Sequence, residues 1–384
     1  MENQWSKERA WDWYNHRPWI RGCNFMSSDC ANRIDQWQAY GFEKRFETTQ
    51  RELALVAQTG YNAIRIILEY FVWEKEHDGF MERLERTIDA AAQNGISCVV
   101  VLDNDCMPPK EEALKRMHLG EQSVDWGYHG GRKVSQHGSL EEAGFSLFDE
   151  PEYAEKYDRF VREIVTRYKD DERILMWDVF NEPGNSKRNS LSLPRLQREF
   201  EILREIDPIQ PLTVGVWTTP GNIDALSEIE RFGLDNSDII SYHNYGPYTD
   251  NILILNHLKQ LGRPIINTEW LGRCFGNTVE EMFPLFFLER VGCFNWGFVA
   301  GKYQTYEMWE GMWDAYYKDP EHVSWDFDKW FHDLYRPSLH PYNPNEIRTI
   351  QRFTKLADDE FEKRRRQETT SAKIAGDGMT HRQK

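Results

Sequence analysis

Residues 174–183 read ILMWDVFNEP, and this stretch decides how the rest of the chain is interpreted. It begins with a mostly apolar run and changes abruptly to an amide, a carboxyl group and a proline at positions 181–183. A nearly continuous apolar run is typical of a strand buried on both faces, as in a parallel sheet covered by helices. Polar residues that follow such a strand lie at the carboxyl edge of the sheet, where α/β barrels carry their active sites. The stretch therefore predicts a parallel strand that ends in a candidate site.

Similar short runs recur along the chain, and residues with helical apolar spacing separate them. Leu53, Val56 and Ala57, for example, have the spacing of one helix face and precede the run that begins at Ala63. Regular alternation of strands and helices is typical of βα units around a parallel sheet. The sequence predicts an α/β protein, a (β/α)8 TIM barrel, with strands over residues 19–25, 63–68, 97–102, 174–179, 212–216, 239–242, 265–268 and 292–295.

Length and loop pattern predict a single barrel domain. Such a barrel takes about 250 residues before insertions, and this chain has 384. The connections after the third and eighth predicted strands, residues 103–150 and 297–343, are far longer than the usual span of roughly two to six residues. Both leave carboxyl ends of strands, so we expect them to wall a substrate pocket. We predict one domain over residues 1–357 and a charged, mobile tail over residues 358–384.

Composition excludes several classes of partner. A formal charge of −16 argues against a nucleic-acid partner, which requires clustered positive charge. The chain has no apolar stretch of membrane-spanning length and no apolar segment like that of a secretion signal, so we expect no membrane partner and a cytoplasmic location. A secreted protein whose signal had been removed would look the same. The sequence does not indicate an oligomeric state.

No metal site is predicted from the cysteines or histidines. The six cysteines contain no CxxC pair and are expected to be reduced, packed thiols. His118, His129 and His137 lie in the insertion after strand three, but their spacing fits no zinc pattern.

The seventh predicted strand ends in the same way as the fourth. Residues 264–270 read PIINTEW, so Glu269 closes an apolar run as Glu182 does. Hydrolysis of a glycosidic bond requires one carboxyl group that protonates the leaving oxygen and a second on the opposite face of the sugar ring. Two carboxyl groups at strand ends of one barrel meet this requirement. A single glutamate at a strand end is more often a solvated loop residue, so the inference depends on the pair.

With these motifs in this order, the chain resembles clan A of the glycoside hydrolases, the barrel enzymes that include the cellulase-like family 5. The resemblance covers residues 19–295 and rests on Asn181-Glu182-Pro183 after strand four, with Glu269 closing strand seven. It implies a catalytic domain that acts on a carbohydrate without a cofactor. It further implies a retaining β-glycoside hydrolase in which Glu182 is the acid/base and Glu269 the nucleophile that forms a covalent glycosyl-enzyme intermediate.

The resemblance also assigns roles to residues beside the two acids. Arg65 matches the strand-two arginine that the clan places next to the nucleophile, and its charge is expected to hold Glu269 ionised. Asn181 is expected to bond the 2-hydroxyl of the sugar. The alternative for Arg65 is a structural ion pair inside the barrel.

Three aromatic positions match the clan as well. His243 and Tyr245 form its strand-six His-x-Tyr pattern, in which the tyrosine orients the nucleophile, and Trp296 matches the aromatic platform beneath the sugar. The alternative for each is packing in the core, because a chain with 15 tryptophans must bury most of them. Further tryptophans for which sugar stacking and packing are both open are Trp37, Trp73, Trp126, Trp217, Trp270 and Trp309.

The end of strand three departs from family 5. Many members have a histidine there, whereas this chain has Asp103-Asn104-Asp105. We expect the Asp103 and Asp105 carboxylates to bind sugar hydroxyls, with capping of the loop as the alternative.

Long loops around the site predict a closed pocket and exo action on a terminal β-linked sugar. The alternatives are an open cleft with endo action, as in a β-glucanase, mannanase or xylanase, and a catalytically inactive barrel that only binds carbohydrate. The sequence does not specify the sugar or the linkage.

Overall fold

The computed structural model describes residues 2–122, 124, 129, 142–218 and 225–380, with side chains described through residue 369. Parallel strands form a closed barrel in which each strand pairs with the next and the eighth pairs with the first. The predicted eight-stranded barrel is confirmed. Its strands are β1 (Arg21–Asn24), β2 (Ala63–Ile67), β3 (Ser97–Asn104), β4 (Ile174–Asn181), β5 (Leu212–Val216), β6 (Ile240–His243), β7 (Ile265–Trp270) and β8 (Gly292–Asn295).

Burial on both faces explains the apolar sequences of the strands. Every residue of β4 and of β7 is buried, because helices cover the outside of the barrel and packed side chains fill the inside. The strands β3 and β4 run two residues further than predicted, and Asn104 pairs with Asn181 at their ends. This extension brings polar residues into the sheet at the carboxyl end of the barrel.

Helices cover the barrel in the expected βα order. The helix α3 (Phe42–Thr59) buries Leu53 and Val56 in the core and is capped by Gly60, whose backbone has a φ of +102°. Glycine adopts this left-handed conformation without the strain that a Cβ would cause. The helices are α1 (Lys7–Asn15), α2 (Arg33–Trp37), α3 (Phe42–Thr59), α4 (Tyr70–Lys75), α5 (His77–Gln93), α6 (Lys110–Arg116), α7 (Pro151–Tyr168), α8 (Leu193–Ile206), α9 (Glu228–Asn236), α10 (Tyr248–Leu258), α11 (Val279–Leu288), α12 (Glu310–Lys318) and α13 (Pro344–Thr380).

The segment around α1 packs against residues near the starts of the strands. Trp5, Trp13 and Tyr14 form one apolar cluster with strand residues such as Val99 and Ile266. The amino end of the barrel is therefore filled by side chains, and the carboxyl end is left for a ligand site.

The two long connections are present at the carboxyl end. The connection after β3 contains α6, and the one after β8 contains α12, which packs on a small apolar cluster around Trp313 and Phe331. The ring of His129 from the first connection lies 5.0 Å from that of Trp296 and 5.3 Å from that of His332, both after β8. The two insertions therefore meet beside the strand ends.

The last helix crosses the predicted boundary at residue 358. Its residues Ile347 and Ile350 are buried, and Asp358 pairs with Arg21 at 2.8 Å. Arg364 donates to the backbone oxygen of Asn15 at 3.0 Å. The boundary thus falls inside a packed helix, while mobility of residues 358–384 stays a prediction. Each of the described helices is too short or too polar to traverse a lipid bilayer.

Candidate active site

A cavity of about 570 Å³ lies at the carboxyl end of the barrel. This volume is in the range of pockets that bind small ligands. The predicted site residues that line it are Arg65, Asn181, Glu182, His243, Tyr245, Glu269 and Trp296. Asp103 and Asp105 are not among the lining residues.

The backbone of Glu182 is held in an unusual conformation. Glu182 directly follows β4, and its φ of +49° lies in the left-handed region that residues with a Cβ rarely adopt. Its N–H donates to the backbone oxygen of Gly215 on β5 at 3.0 Å. Such strain persists where the surrounding structure holds it, and it is frequent at active sites.

Three side chains hydrogen-bond to the Glu182 carboxyl group. Nδ1 of His243 lies 2.7 Å from Oε1, the Cys106 thiol donates to Oε2 at 2.9 Å, and the Asn185 amide donates to the same oxygen. Because Glu182 is only 8% exposed, these contacts fix the orientation of its carboxyl group.

Glu269 lies on β7 and receives two strong hydrogen bonds. Arg65 Nη1 donates to Oε1 at 2.9 Å, and the Tyr245 hydroxyl donates to Oε2 at 2.7 Å. Burial raises the pKa of the Glu269 carboxyl, with Glu182 adding to the rise, whereas His243, Arg65 and Tyr245 act to lower it. Arg65 favours the ionised form of Glu269, as the sequence predicts. The effect of burial is larger, so the net shift of the Glu269 pKa is upward.

Arg65 connects the ends of several strands. Its guanidinium contacts Asp178 at 2.8 Å, Asn181 Oδ1 at 2.6 Å and Asn24 Oδ1 at 2.7 Å in addition to Glu269. The side chain is fully buried, so each donor meets an acceptor inside the barrel. The two roles considered for Arg65, structural ion pair and partner of Glu269, therefore coexist.

His243 lies between the two acids. Its Nδ1 is 2.7 Å from Glu182 and 3.5 Å from Glu269, and these three side chains offer ligand-type atoms within 4.8 Å of one another. Burial lowers the pKa of His243 to about 4, so the ring is neutral near pH 7. One oxygen of each carboxyl group thus lies close to an oxygen of the other, with a neutral imidazole beside them.

The same three side chains have the spacing of a metal site. The Arg65 guanidinium in contact with Glu269 is a permanent positive charge, and it opposes a second cation at this position. The donor set therefore suits carboxyl chemistry better than metal binding.

Asp103 and Asp105 do not face the cavity, so the expectation that they bind sugar hydroxyls is corrected. Val99 of β3 packs inside the barrel, so strict alternation would point Asp103 inward. Asn104 lines the cavity instead, so the alternation is broken near the end of β3. Asp105 pairs with Arg188 at 2.7 Å and accepts from the Gly184 N–H at 2.6 Å. Asp103 accepts from its neighbour's N–H at 2.8 Å. Both carboxylates stabilise the loops, as in the alternative interpretation.

Among the cavity-wall residues that sequence reasoning missed are Asn104, Cys106, His129 and Asn185. Asn104 is the last residue of β3, which was predicted two residues too short, and Cys106 lies in the loop directly after it. Strict alternation from Val99, which pairs with the inward-pointing Arg65, would have pointed Asp103 toward the site, so the inward position of Asn104 has no signal in the sequence. No sequence signal indicates that Asn185 turns back to Glu182 or that His129 reaches Trp296.

The further tryptophans divide between the two interpretations. Trp217 and Trp309 line the cavity, whereas Trp37 and Trp270 are fully buried in the core. Trp73 packs against Tyr70 and Phe160 in an aromatic group that also includes Tyr157. Trp126 lies outside the described residues.

Comparison with known families and relatives gives a consistent result. The sequence model of the family described as cellulase (glycosyl hydrolase family 5) matches residues 24–301. A curated relative, a probable mannan endo-1,4-β-mannosidase C from Aspergillus terreus, is 27% identical over 115 residues, which are 30% of this chain and 23% of the relative. The match therefore spans less than a quarter of that relative's length.

Several solved structures share the fold. A β-1,4-mannanase from the sea hare Aplysia kurodai has a TM-score of 0.52 and 14% identity, covering 73% of this chain and 88% of its own. An exo-β-1,4-mannosidase from Opitutaceae bacterium strain TAV5 has a TM-score of 0.55 and 15% identity, covering 90% of this chain and 60% of its own. A family 5 mannosidase from Rhizomucor miehei has a TM-score of 0.51 and 13% identity, covering 90% of this chain and 94% of its own. At these identities the likeness concerns the fold.

Proposed function

Since the chain belongs to glycosyl hydrolase family 5, we propose that it is a retaining β-glycoside hydrolase that acts by double displacement. The observation that carries the proposal is the approach of Glu182 and Glu269 in one buried cavity, where one carboxylate oxygen of each residue lies within 4.8 Å of one oxygen of the other. Retaining enzymes hold their carboxyl groups about 5 to 5.5 Å apart, whereas inverting enzymes leave roughly 6.5 to 9.5 Å for a water molecule. The short separation favours direct attack by one carboxylate.

In the first step, Glu269 attacks the anomeric carbon and Glu182 protonates the leaving oxygen. Arg65 and Tyr245 hold both Glu269 oxygens by hydrogen bonds of 2.9 and 2.7 Å, which orients the attacking group and favours its anionic form. The bond to the leaving group breaks as the carboxylate–carbon bond forms, giving a covalent glycosyl-enzyme.

In the second step, Glu182 acts as a base. Having lost its proton, it removes one from an incoming water, whose oxygen attacks the anomeric carbon and releases Glu269. Asn181, whose amide is fixed by Arg65 at 2.6 Å and by Asn104 at 2.8 Å, is placed to bind the sugar 2-hydroxyl through both steps.

We propose exo action on a terminal sugar. The two long insertions meet where His129 contacts Trp296 and His332, at ring distances of 5.0 and 5.3 Å. A contact of this kind beside the sugar platform Trp296 closes one side of the cavity. A chain end fits such a pocket better than the middle of a polymer.

Endo action is the second candidate, and one observation favours it. The curated relative that matches over 115 residues is named as an endo-acting mannosidase. The same name makes β-1,4-linked mannosides the first substrates to test, before glucosides and xylosides. Two measurements separate the two modes of action. One follows the viscosity of polymeric mannan over time, and the other follows the release of monomer from short oligosaccharides.

Azide rescue tests the roles of the two acids. In Glu269→Ala, azide replaces the missing nucleophile and should yield a glycosyl azide of inverted configuration. In Glu182→Ala, azide attacks the glycosyl-enzyme and should yield a glycosyl azide of retained configuration, because no acid or base is needed for that step. Full turnover by either variant on an unactivated glycoside would contradict the proposal, and binding without turnover by the wild-type protein would indicate a carbohydrate-binding barrel.

A further inference from the structure

Cys106 lies against the proposed acid/base. Its Sγ is 2.9 Å from Oε2 of Glu182, and the amides of Asn181 and Asn185 lie 3.5 and 3.4 Å from the sulfur. Cys106 lines the cavity, although only 6% of its surface is exposed. The thiol is therefore enclosed by the groups that surround the leaving oxygen.

The loop that follows β3 holds Cys106 firmly. Asn104 accepts from the Cys106 N–H at 3.1 Å and donates to the Cys106 backbone oxygen at 3.3 Å. The same Asn104 side chain accepts from the amide of Asn181 at 2.8 Å. The thiol and the asparagine that precedes Glu182 thus share one anchor, so the thiol's position relative to the acid is fixed from both strands.

The partners of Glu182 differ in how they respond to its protonation. The Asn185 amide nitrogen can only donate, so it favours the carboxylate and cannot accept from the acid form. His243 could accept at Nδ1 if its proton moved to Nε2. That nitrogen lies against the backbone of Gly215 and has no hydrogen-bond partner among the described residues. A proton there would be buried without an acceptor, which is unfavourable.

Cys106 has no such restriction. A thiol is a weak donor and a weak acceptor, and its hydrogen can turn away from Glu182 at little cost. Burial raises the pKa of the Cys106 thiol well above its usual value, with the Glu182 charge adding to the rise, so the sulfur keeps its hydrogen.

We propose that Cys106 is a positioning residue that serves Glu182 in both of its protonation states. The thiol donates to Oε2 when Glu182 is a carboxylate, and it withdraws its hydrogen when Glu182 carries the proton for the leaving oxygen. This role rests on the proposed function, because it requires Glu182 to gain and lose a proton in each cycle.

Substitution by serine and alanine tests the role through pH dependence. A serine hydroxyl is a stronger donor, so Cys106→Ser should stabilise the carboxylate and move the alkaline limb of the kcat/KM profile to lower pH. Cys106→Ala removes the donor, so the same limb should move to higher pH. We expect shifts of about half a pH unit or more in opposite directions. On glycosides with poor leaving groups, both variants should lose about tenfold in kcat/KM.

Leaving-group dependence gives a second readout. A dinitrophenyl glycoside departs without a proton, so its first-step rate should change little in either variant. Cys274→Ala, which removes a partly exposed thiol away from the cavity, should behave as wild type. Thermal unfolding midpoints identify any variant that is merely destabilised.

The outcomes separate this role from the proposed function. Unchanged pH profiles, or shifts of both variants in the same direction, would overturn the role of Cys106 while the enzyme remained active. Wild-type turnover that survives in Glu269→Ala would instead overturn the proposed function. Because serine is nearly isosteric with cysteine, Cys106→Ser keeps the test decisive if the alanine variant is unstable.

Discussion

Arg65 Nη1 lies 2.9 Å from Oε1 of Glu269, although the Arg65 side chain is fully buried and that of Glu269 is 5% exposed. A buried guanidinium beside a buried carboxylate is stable only when both find further partners, and Arg65 meets this condition through Asp178 and two asparagines. Burial lowers the pKa of Arg65, but Asp178 and Glu269 reverse this and give a net rise. The arginine is therefore a fixed positive charge under the proposed nucleophile.

Arg65→Lys should impair both catalysis and stability. Lysine keeps the charge but loses the planar fork that contacts four side chains at once. We expect kcat/KM to fall by about 10²- to 10³-fold and the free energy of unfolding to fall by about 3 kcal/mol. Steady-state kinetics and urea denaturation measure the two effects.

Arg188→Lys is the matched control for this substitution. Arg188 is equally buried and pairs with Asp105 and Asp149 at 2.7 Å, away from the two acids. It should lose comparable stability with a much smaller loss of kcat/KM. Equal kinetic losses in the two variants would mean that Arg65 acts only through the fold.

Tyr245→Phe should change the acid limb of the pH profile. The Tyr245 hydroxyl donates to Glu269 and lowers the pKa of that carboxyl, so its removal should raise the pKa and move the acid limb of kcat/KM to higher pH. Tyr242→Phe removes a buried hydroxyl that contacts Asn251 instead of an acid, and its profile should match wild type. An acid limb that stays in place in Tyr245→Phe would contradict the assigned hydrogen bond.

Glu52→Gln should alter the pH dependence of stability. Burial raises the pKa of Glu52 from 4.5 to about 7. The folded state therefore binds this proton more tightly than the unfolded state. The Glu52 contribution to stability is full below pH 4.5 and declines up to about pH 7, by about 1.4 kcal/mol per pH unit within that window.

Urea denaturation at pH 5 and pH 7 measures this effect. The wild-type protein should lose more stability than Glu52→Gln over this interval, because the amide does not titrate. Identical losses in the two proteins would show that Glu52 does not titrate differently in the folded and unfolded states.

Asp105→Asn tests the corrected role of the strand-three acids. Asp105 holds Arg188 at 2.7 Å and the Gly184 N–H at 2.6 Å. Its loss leaves part of a buried ion network uncompensated, so the free energy of unfolding should fall by about 3 kcal/mol. KM should remain unchanged, because the side chain does not line the cavity. A large rise in KM without loss of stability would restore a direct contact with the sugar.

The barrel was predictable because its signals are local. Runs such as residues 97–102 need only their own composition to indicate a buried strand, and glutamates at positions 182 and 269 follow such runs directly. The roles of Asp103 and Asp105 were not predictable, because the alternation of side chains is broken near the end of β3, where Asn104 and not Asp103 lines the cavity. The contact between Cys106 and Glu182 joins residues 76 positions apart through a loop, which no local pattern encodes.

Product stereochemistry tests the double displacement most directly. NMR at early times, before mutarotation, identifies the anomer first released from a β-glycoside. The approach of Glu182 and Glu269 to within 4.8 Å predicts the β-anomer as the first product. Initial release of the α-anomer would contradict Glu269 as the nucleophile.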